Sequence, residues 1–312
     1  MLNKIIESIE SRYIGRRETT IKVVAVLLAG GHLLVEDVPG VGKTTLAKGI
    51  AQSLDCGFTR IQFTPDTLPS DVVGMSIYNM GTGRFETVKG AIMNNIVMAD
   101  EINRTSPKTQ ASLLEAMEEK QVTIDGKMYR LPELFMVIAT QNPVEHAGTY
   151  VLPEAQLDRF MIRLSLGYPD KETEIRMIEA NINAGTNDFN IAPVASEADI
   201  INMRNEVSKV VVSRPIMGYV TDIVRDTRED EEILLGASPR AAIALVKMSQ
   251  AMAYIDNRTY VLPDDVRNVS ADVLTHRMIY SPALMTDTGS EYEYVKKLVD
   301  KIPVPDGIRG RK

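Results

Sequence analysis

Cysteine occurs once in this chain of 312 residues, tryptophan is absent, and histidine occurs three times. The lone Cys56 excludes an internal disulfide and any thiolate metal cluster within one chain. His32, His146 and His276 do not fall at ligand spacing, and His32, at the start of a strand, reads as structural. No apolar run reaches membrane-spanning length; the longest candidate, Val23 to Val35, is interrupted by Gly30-Gly31-His32. Met1-Leu2-Asn3-Lys4-Ile5-Ile6-Glu7 reads as the start of an amphipathic helix and not as a signal peptide, so a cytoplasmic location is expected. A basic excess is missing too. The net charge is −7 and there is no long basic tract, which disfavours nucleic acid as the partner.

What remains is ordinary for a globular protein. Hydrophobic residues make up 44% and charged residues 25%, and the length allows two domains with cores of their own. Sixteen methionines fit packed helices.

Residues 1–168 alternate strands and helices. Phe58 to Phe63 alternates as a strand does, while Ile96-Val97-Met98-Ala99 and Leu134 to Ala139 are wholly apolar, as strands buried on both faces must be. Phe160 to Leu166 is expected to be a further strand. Helical stretches such as Lys43–Leu54 and Pro107–Glu119 lie between them. The pattern predicts a doubly wound, mostly parallel α/β sheet. Two insertions interrupt it. Residues 75–88 carry the turn cluster Asn79-Met80-Gly81-Thr82-Gly83, and 121–130 carry Asp125-Gly126 between β-prone arms, a hairpin signal. Residues 169–303 read as a second, all-helical domain, with helices expected at 171–183, 197–210, 215–227, 239–255, 263–276 and 291–301. The tail 304–312 is expected to be disordered.

Chemistry concentrates at strand ends. Leu33 to Glu36 reads as a short buried strand; Asp37-Val38-Pro39-Gly40-Val41-Gly42 follows as a loop, and Lys43-Thr44-Thr45 opens a helix. That layout cradles a polyphosphate on loop N–H groups and a helix N-terminus. Lys43 would reach the outer phosphates and the Thr44 hydroxyl a magnesium ion. The general pattern places glycine where this chain has Asp37; close approach to phosphate can still fall on Gly40 and Gly42. The strand Ile96–Ala99 ends in Asp100-Glu101. Ligands of open α/β sheets bind beyond the carboxyl ends of strands, which puts Asp100 beside Thr44 and the metal and leaves Glu101 to polarise the attacking water. Adjacent strand residues face opposite ways, so the two carboxylates are expected to differ in role. Asn142, ending the next apolar strand, could orient that water. Arg240 follows Ser238-Pro239 in the first turn of a helix, with Ser238 expected as N-cap; a cation there opposes the helix dipole and needs either solvent or an anion to face, and a nucleotide phosphate would supply the latter. Arg159, before the last strand, could reach a neighbouring subunit's nucleotide as an arginine finger.

Together these segments resemble the AAA+ ATPases, and among them the MoxR branch. The resemblance covers nearly the whole chain and rests on a Walker A loop (Pro39-Gly40-Val41-Gly42-Lys43-Thr44), a Walker B strand (Ile96 to Glu101) and a sensor 1 strand ending at Asn142. Arg159 as finger and Arg240 as sensor 2 in a helical lid complete it. Ala99-Asp100-Glu101-Ile102-Asn103-Arg104, Ala139 to Pro143 and Leu152 to Phe160 look like MoxR wording in particular. The 75–88 insertion matches that branch's helix 2 insert, and the 121–130 hairpin its pre-sensor 1 hairpin. Tyr13-Ile14-Gly15-Arg16-Arg17-Glu18 resembles the segment lining the adenine pocket. Arg163 is a second candidate for the finger.

The resemblance implies a P-loop NTPase (AAA+) sheet sandwiched by helices, followed by the lid, and ATP with Mg2+ as ligands. It also implies a homo-oligomeric ring, expected to be a hexamer, and a partner carrying a von Willebrand factor A domain. The implied function is ATP-driven, chaperone-like remodelling, maturation or metal insertion. The motor subunit of a magnesium-chelatase-like complex is the alternative, and a nucleic-acid translocase is disfavoured by the charge.

Overall fold

The computed structural model describes residues 1–37, 40–142, 149–183, 192–282, 284 and 290–305. Pro39, Val38 and His146 lie outside the described residues, as do 306–312 of the tail. The chain divides into two compact units, the first built from 1–21, 32–152 and 164–201, the second from 22–31, 153–163 and 202–312. The boundary expected at 168 falls inside the last segment of the first unit.

In chain order the strands of the first part are β1 (Leu33–Glu36), β2 (Phe58–Gln62), β3 (Gly74–Asn79), β4 (Arg84–Lys89), β5 (Ile96–Asp100), β6 (Gln121–Ile124), β7 (Lys127–Arg130), β8 (Met136–Gln141) and β9 (Ile162–Leu164). Five of them form one sheet in the order β2-β5-β8-β1-β9, and the pairs β2–β5, β5–β8 and β1–β8 are parallel. Leu33 to Val35, Ile96 to Ala99 and Met136 to Ala139 are all buried, and polarity begins only near the last residue of each strand. A strand covered on both faces has no polar side to show, and this is why the runs read as continuous apolar blocks. The strand expected over 160–166 is shorter, because regular pairing is confined to 162–164.

His32 fastens this sheet to its covering helix. The Val137 N–H donates to its Nδ1 (3.0 Å), which leaves Nε2 to donate to the Met117 carbonyl (3.4 Å). Its ring meets Phe135 edge-on at 5.5 Å. The histidine is structural, as its sequence position implied.

Both insertions are antiparallel hairpins, β3–β4 and β6–β7. Asp125 and Gly126 have positive φ, the geometry a two-residue turn of this kind demands. A Thr87 Oγ1–Tyr129 hydroxyl bond of 3.0 Å ties the hairpins together.

The second unit is mainly helical. Helices Arg214–Glu229, Pro239–Ile255, Pro263–Leu274 and Glu291–Lys301 pack by apolar stripes; on the first of these Ile216, Tyr219, Val220, Ile223, Val224 and Thr227 are buried at helical spacing. Lys22 forms a buried ion pair with Asp272 at 2.8 Å. The all-helical expectation needs one amendment: β10 (Ile233–Leu235) and β11 (Ile279–Tyr280) form a small antiparallel ribbon. Pieces of three and two residues are too short to leave a period in the sequence, and only their pairing makes them strands.

Replacing His32 with Ala strands a buried N–H and a buried carbonyl. Unfolding in urea should show a loss of about 2–5 kcal/mol; a loss below about 1 kcal/mol would mean that both groups find other partners.

Candidate functional site

The parallel register decides where the polar groups emerge. Glu36 lies opposite Gln141, and Gln62 opposite Asp100, so the carboxyl ends of four strands share one edge. A cavity of about 380 Å³ opens there, lined by Gly40, Gly42, Lys43, Thr44, Thr45, Asp100, Glu101 and Asn142 among others. All eight were expected at the site from the sequence. Gly40 and Gly42 have φ of +91° and +90°, a backbone region that L side chains rarely adopt, so the loop needs glycine at both places. Lys43 opens the helix Lys43–Ser53, and its Nζ donates to the Asp37 carbonyl at 2.8 Å. Burial lowers the Lys43 pKa, against the opposing pull of Asp100, Asp37 and Glu101.

A second cavity of about 140 Å³ is lined by Val41, Tyr13, Ile14, Gly15, Leu166 and Gly167 among others. Val41 thus turns to one cavity while the glycines on either side of it turn to the other. A side chain on Gly15 would overlap the Tyr13 ring, and one on Gly42 would touch it at 3.4 Å.

Asp37 resolves its own departure from the glycine pattern. It does not use the positive-φ backbone that glycine would supply. Its carboxylate instead accepts from the backbone N–H of Leu166, from that of Gly167 (3.0 Å) and from the Ser165 hydroxyl (3.3 Å). The side chain is buried and pins the segment after β9, which lines the second cavity.

The two adjacent carboxylates are separated by more than strand alternation. Asp100 is the last strand residue, whereas Glu101 has left the strand in a left-handed conformation, φ 55° and ψ 50°. Such a backbone costs a non-glycine residue about 1–2 kcal/mol and re-aims its side chain. The Thr140 hydroxyl donates to Asp100 Oδ1 (2.5 Å) and accepts from the Glu101 N–H (2.9 Å), so one group braces both acids. Asp100 Oδ2 takes Arg60 through Nε (3.1 Å) and Nη2 (2.5 Å), and Glu101 takes the Gln62 amide (2.8 Å) and Arg104 (3.2 Å). Arg60, Gln62 and Thr140 were not identified from sequence as site residues. The available signal was the polar, alternating face of β2, whose last residues reach the same edge.

Matches to known proteins agree with this geometry. The profile of the ATPase family associated with various cellular activities (AAA) matches residues 32–162, and that of the AAA lid domain matches 225–295. The uncharacterized protein YeaC of Bacillus subtilis is 46% identical over 98% of this chain and 95% of its own. Chaperone MoxR1 of Mycobacterium tuberculosis is 34% identical over 97% of this chain and 82% of its own. The chain belongs to the MoxR-type AAA+ ATPases. A solved structure of a proposed ATPase from Cytophaga hutchinsonii superposes on this MoxR-type chain with a TM-score of 0.90, at 40% identity, covering 97% of this chain and 96% of that one.

The remaining predicted residues of this MoxR-type ATPase lie in its second unit. Arg159 follows the short helix Glu154–Leu157 and precedes β9. Arg163 pairs with Glu291 at 2.7 Å. Arg240 is exposed in the first turn of the helix Pro239–Ile255. Ser238 occupies the N-cap position, but its side chain makes no capping bond and donates to Asp158 at 3.2 Å.

Asp37→Ala leaves the Leu166 and Gly167 N–H groups without their acceptor. Denaturant unfolding should report a loss of about 2–4 kcal/mol. Asp37→Gly, which restores the general loop pattern, should be no more stable than Asp37→Ala; a gain would show that the pinned segment contributes nothing.

Proposed function

We propose that this ATPase works in a homo-oligomeric ring, a hexamer by family resemblance, where hydrolysis drives chaperone-like remodelling, maturation or metal insertion of a partner protein. The observation that carries the reading is the convergence of Lys43, Thr44, Asp100, Glu101 and Asn142 on one cavity. ATP lies with its phosphates along Gly40 to Thr45 and its base toward Ile14, Gly15 and Val41. Pro39, expected to join them, lies outside the described residues.

Water attacks the γ-phosphorus; the new P–O bond forms as the bond to the bridging oxygen breaks, and ADP leaves. Glu101 polarises the water and Asn142 orients it. Lys43 and the loop N–H groups meet the charge that develops on the phosphate oxygens. Among the described residues no cluster of three or more His, Cys, Asp or Glu side chains could cage a metal alone. Asp100 and Thr44 fit a magnesium ion, which takes hard oxygen ligands and is ordinarily held by one or two carboxylates, waters and substrate phosphates. When bound, it would neutralise charge on the β- and γ-oxygens. Arg60 occupies Oδ2 of Asp100 and would have to yield part of it if that ion were held there.

Arg159 is assigned as the finger by the family resemblance, with Arg163, which pairs with Glu291, as the second candidate. By the family resemblance Arg240, in the lid, is assigned as sensor 2. The β3–β4 hairpin supports a protein client or neighbour: Met80 is 92% and Phe85 74% exposed, and apolar side chains grouped in this way suit a contact surface. A von Willebrand factor A domain protein is the partner class implied by the family resemblance. Among the described residues no helix is long and apolar enough to cross a membrane.

Glu101→Gln should bind ATP with near-native affinity and hydrolyse it at least about 100-fold more slowly. Turnover at the native rate would remove Glu101 from the mechanism.

Arg159→Ala should lose at least about 100-fold in turnover as well. Mixing it with Glu101→Gln subunits should restore activity, since some interfaces then combine an intact Glu101 with a neighbour's intact Arg159. If the mixed rings form but stay inactive, the finger does not act between subunits.

A further inference from the structure

Asp158 and Arg277 form an ion pair at 2.7 Å in the second unit, with side chains 13% and 3% exposed. The pair sits on the backbone that carries Arg159. Arg277 donates through Nη2 to the carbonyls of Phe160 (2.6 Å) and Asp158 (3.4 Å), and through Nη1 to those of Met161 (3.0 Å) and Val273. Carbonyls on both sides of Arg159 are therefore fixed by one planar, always-charged group. His276 adds a bond from Nε2 to the Phe160 carbonyl at 3.0 Å, and burial together with the adjacent Arg277 lowers its pKa.

The other oxygen of Asp158 leads elsewhere. It accepts the Ser238 hydroxyl at 3.2 Å. Ser238 stands at the N-cap of the helix whose first turn carries Arg240, yet its hydroxyl does not cap that helix. A serine at an N-cap ordinarily bonds the helix's own N–H groups. Here it is diverted to the loop of Arg159.

We propose that Asp158 is a positioning residue that clamps the Arg159 loop to the start of the Arg240 helix, so that the two phosphate-seeking arginines move as one body. Contact between Arg240 and its nucleotide then sets the reach of Arg159 toward the neighbour's. The inference rests on the assignment of those two arginines made above. It adds the link between them: Arg277 holds one oxygen of Asp158, and Ser238 takes the other.

The discriminating variant is Ser238→Ala, which removes one hydroxyl, keeps the Asp158–Arg277 pair and takes away no capping bond. Turnover by rings of the full chain is measured for the parent, Arg159→Ala, Arg240→Ala and the double variant, each with Ser238 and with Ala at that position. With Ser238 the double variant should lose at least about tenfold less than the product of the two single losses, as expected of residues that act as a unit. With Ala the losses should multiply to within about twofold, and Ser238→Thr, which keeps the hydroxyl, should restore the coupling. Asp158→Asn, checked for a native thermal transition, should lower kcat with little change in KM. Multiplicative losses in both backgrounds, or equal coupling in both, would overturn the clamp while leaving the two arginine roles intact. If either single arginine variant turns over at the parent rate, that arginine has no phosphate role and the clamp falls with it.

Discussion

The parallel register of β1, β8, β5 and β2 is the constraint on which the rest of the structure depends. Each strand is apolar while it is covered on both faces and turns polar where it leaves cover. Pairing Glu36 with Gln141 and Gln62 with Asp100 makes those exits coincide. A one-residue slip would turn every side chain of a strand to the opposite face, and Asp100 would lose both Thr140 and Arg60. Residues that are far apart in the chain meet because the hydrophobic runs leave the strands one register.

The same edge balances charge before any ligand arrives. Lys43 and Arg60 stand with Asp100 and Glu101 around one cavity, and each acid already has a partner on β2, a guanidinium for one and an amide for the other. On the proposed function, a polyphosphate and a divalent cation would enter by exchanging one set of charge-assisted bonds for another, which avoids stranding a half-buried charge. Glu101 reaches this arrangement through a left-handed backbone that its position alone does not suggest. Strain of this kind persists where the surroundings over-determine it, and the Thr140 hydroxyl and Gln62 amide do so here.

Much of this was legible before any coordinates. Helices 107–119, 171–183, 239–255 and 291–301 were read with their structural limits, because proline, caps and apolar spacing are local signals. The phosphate loop was equally local, since it needs consecutive residues and positive φ at two glycines. Asp37 looked like a flaw in that loop. Its purpose lies in N–H groups at 166 and 167, and no spacing rule connects them to it. Arg60 and Gln62 were read as one face of a strand, with no means of knowing which acids that face would meet. Ser238 was read correctly as the N-cap residue of a helix, but its hydroxyl makes no capping bond, because Asp158, from another segment, takes it.

The sequence by itself determined most of the longer elements, their order and the chemical types at the site: a glycine loop, a lysine, a threonine, paired acids, an asparagine. These follow from short-range rules of backbone conformation, periodicity and group chemistry. Only the tertiary structure decided which neighbour each group holds: Asp37 on the segment after β9, Arg60 on Asp100, Arg277 on the loop of Arg159. Those choices depend on which donor finds which acceptor once the segments pack. That competition is settled among all packed segments at once, and none of its partners is written next to another in the chain.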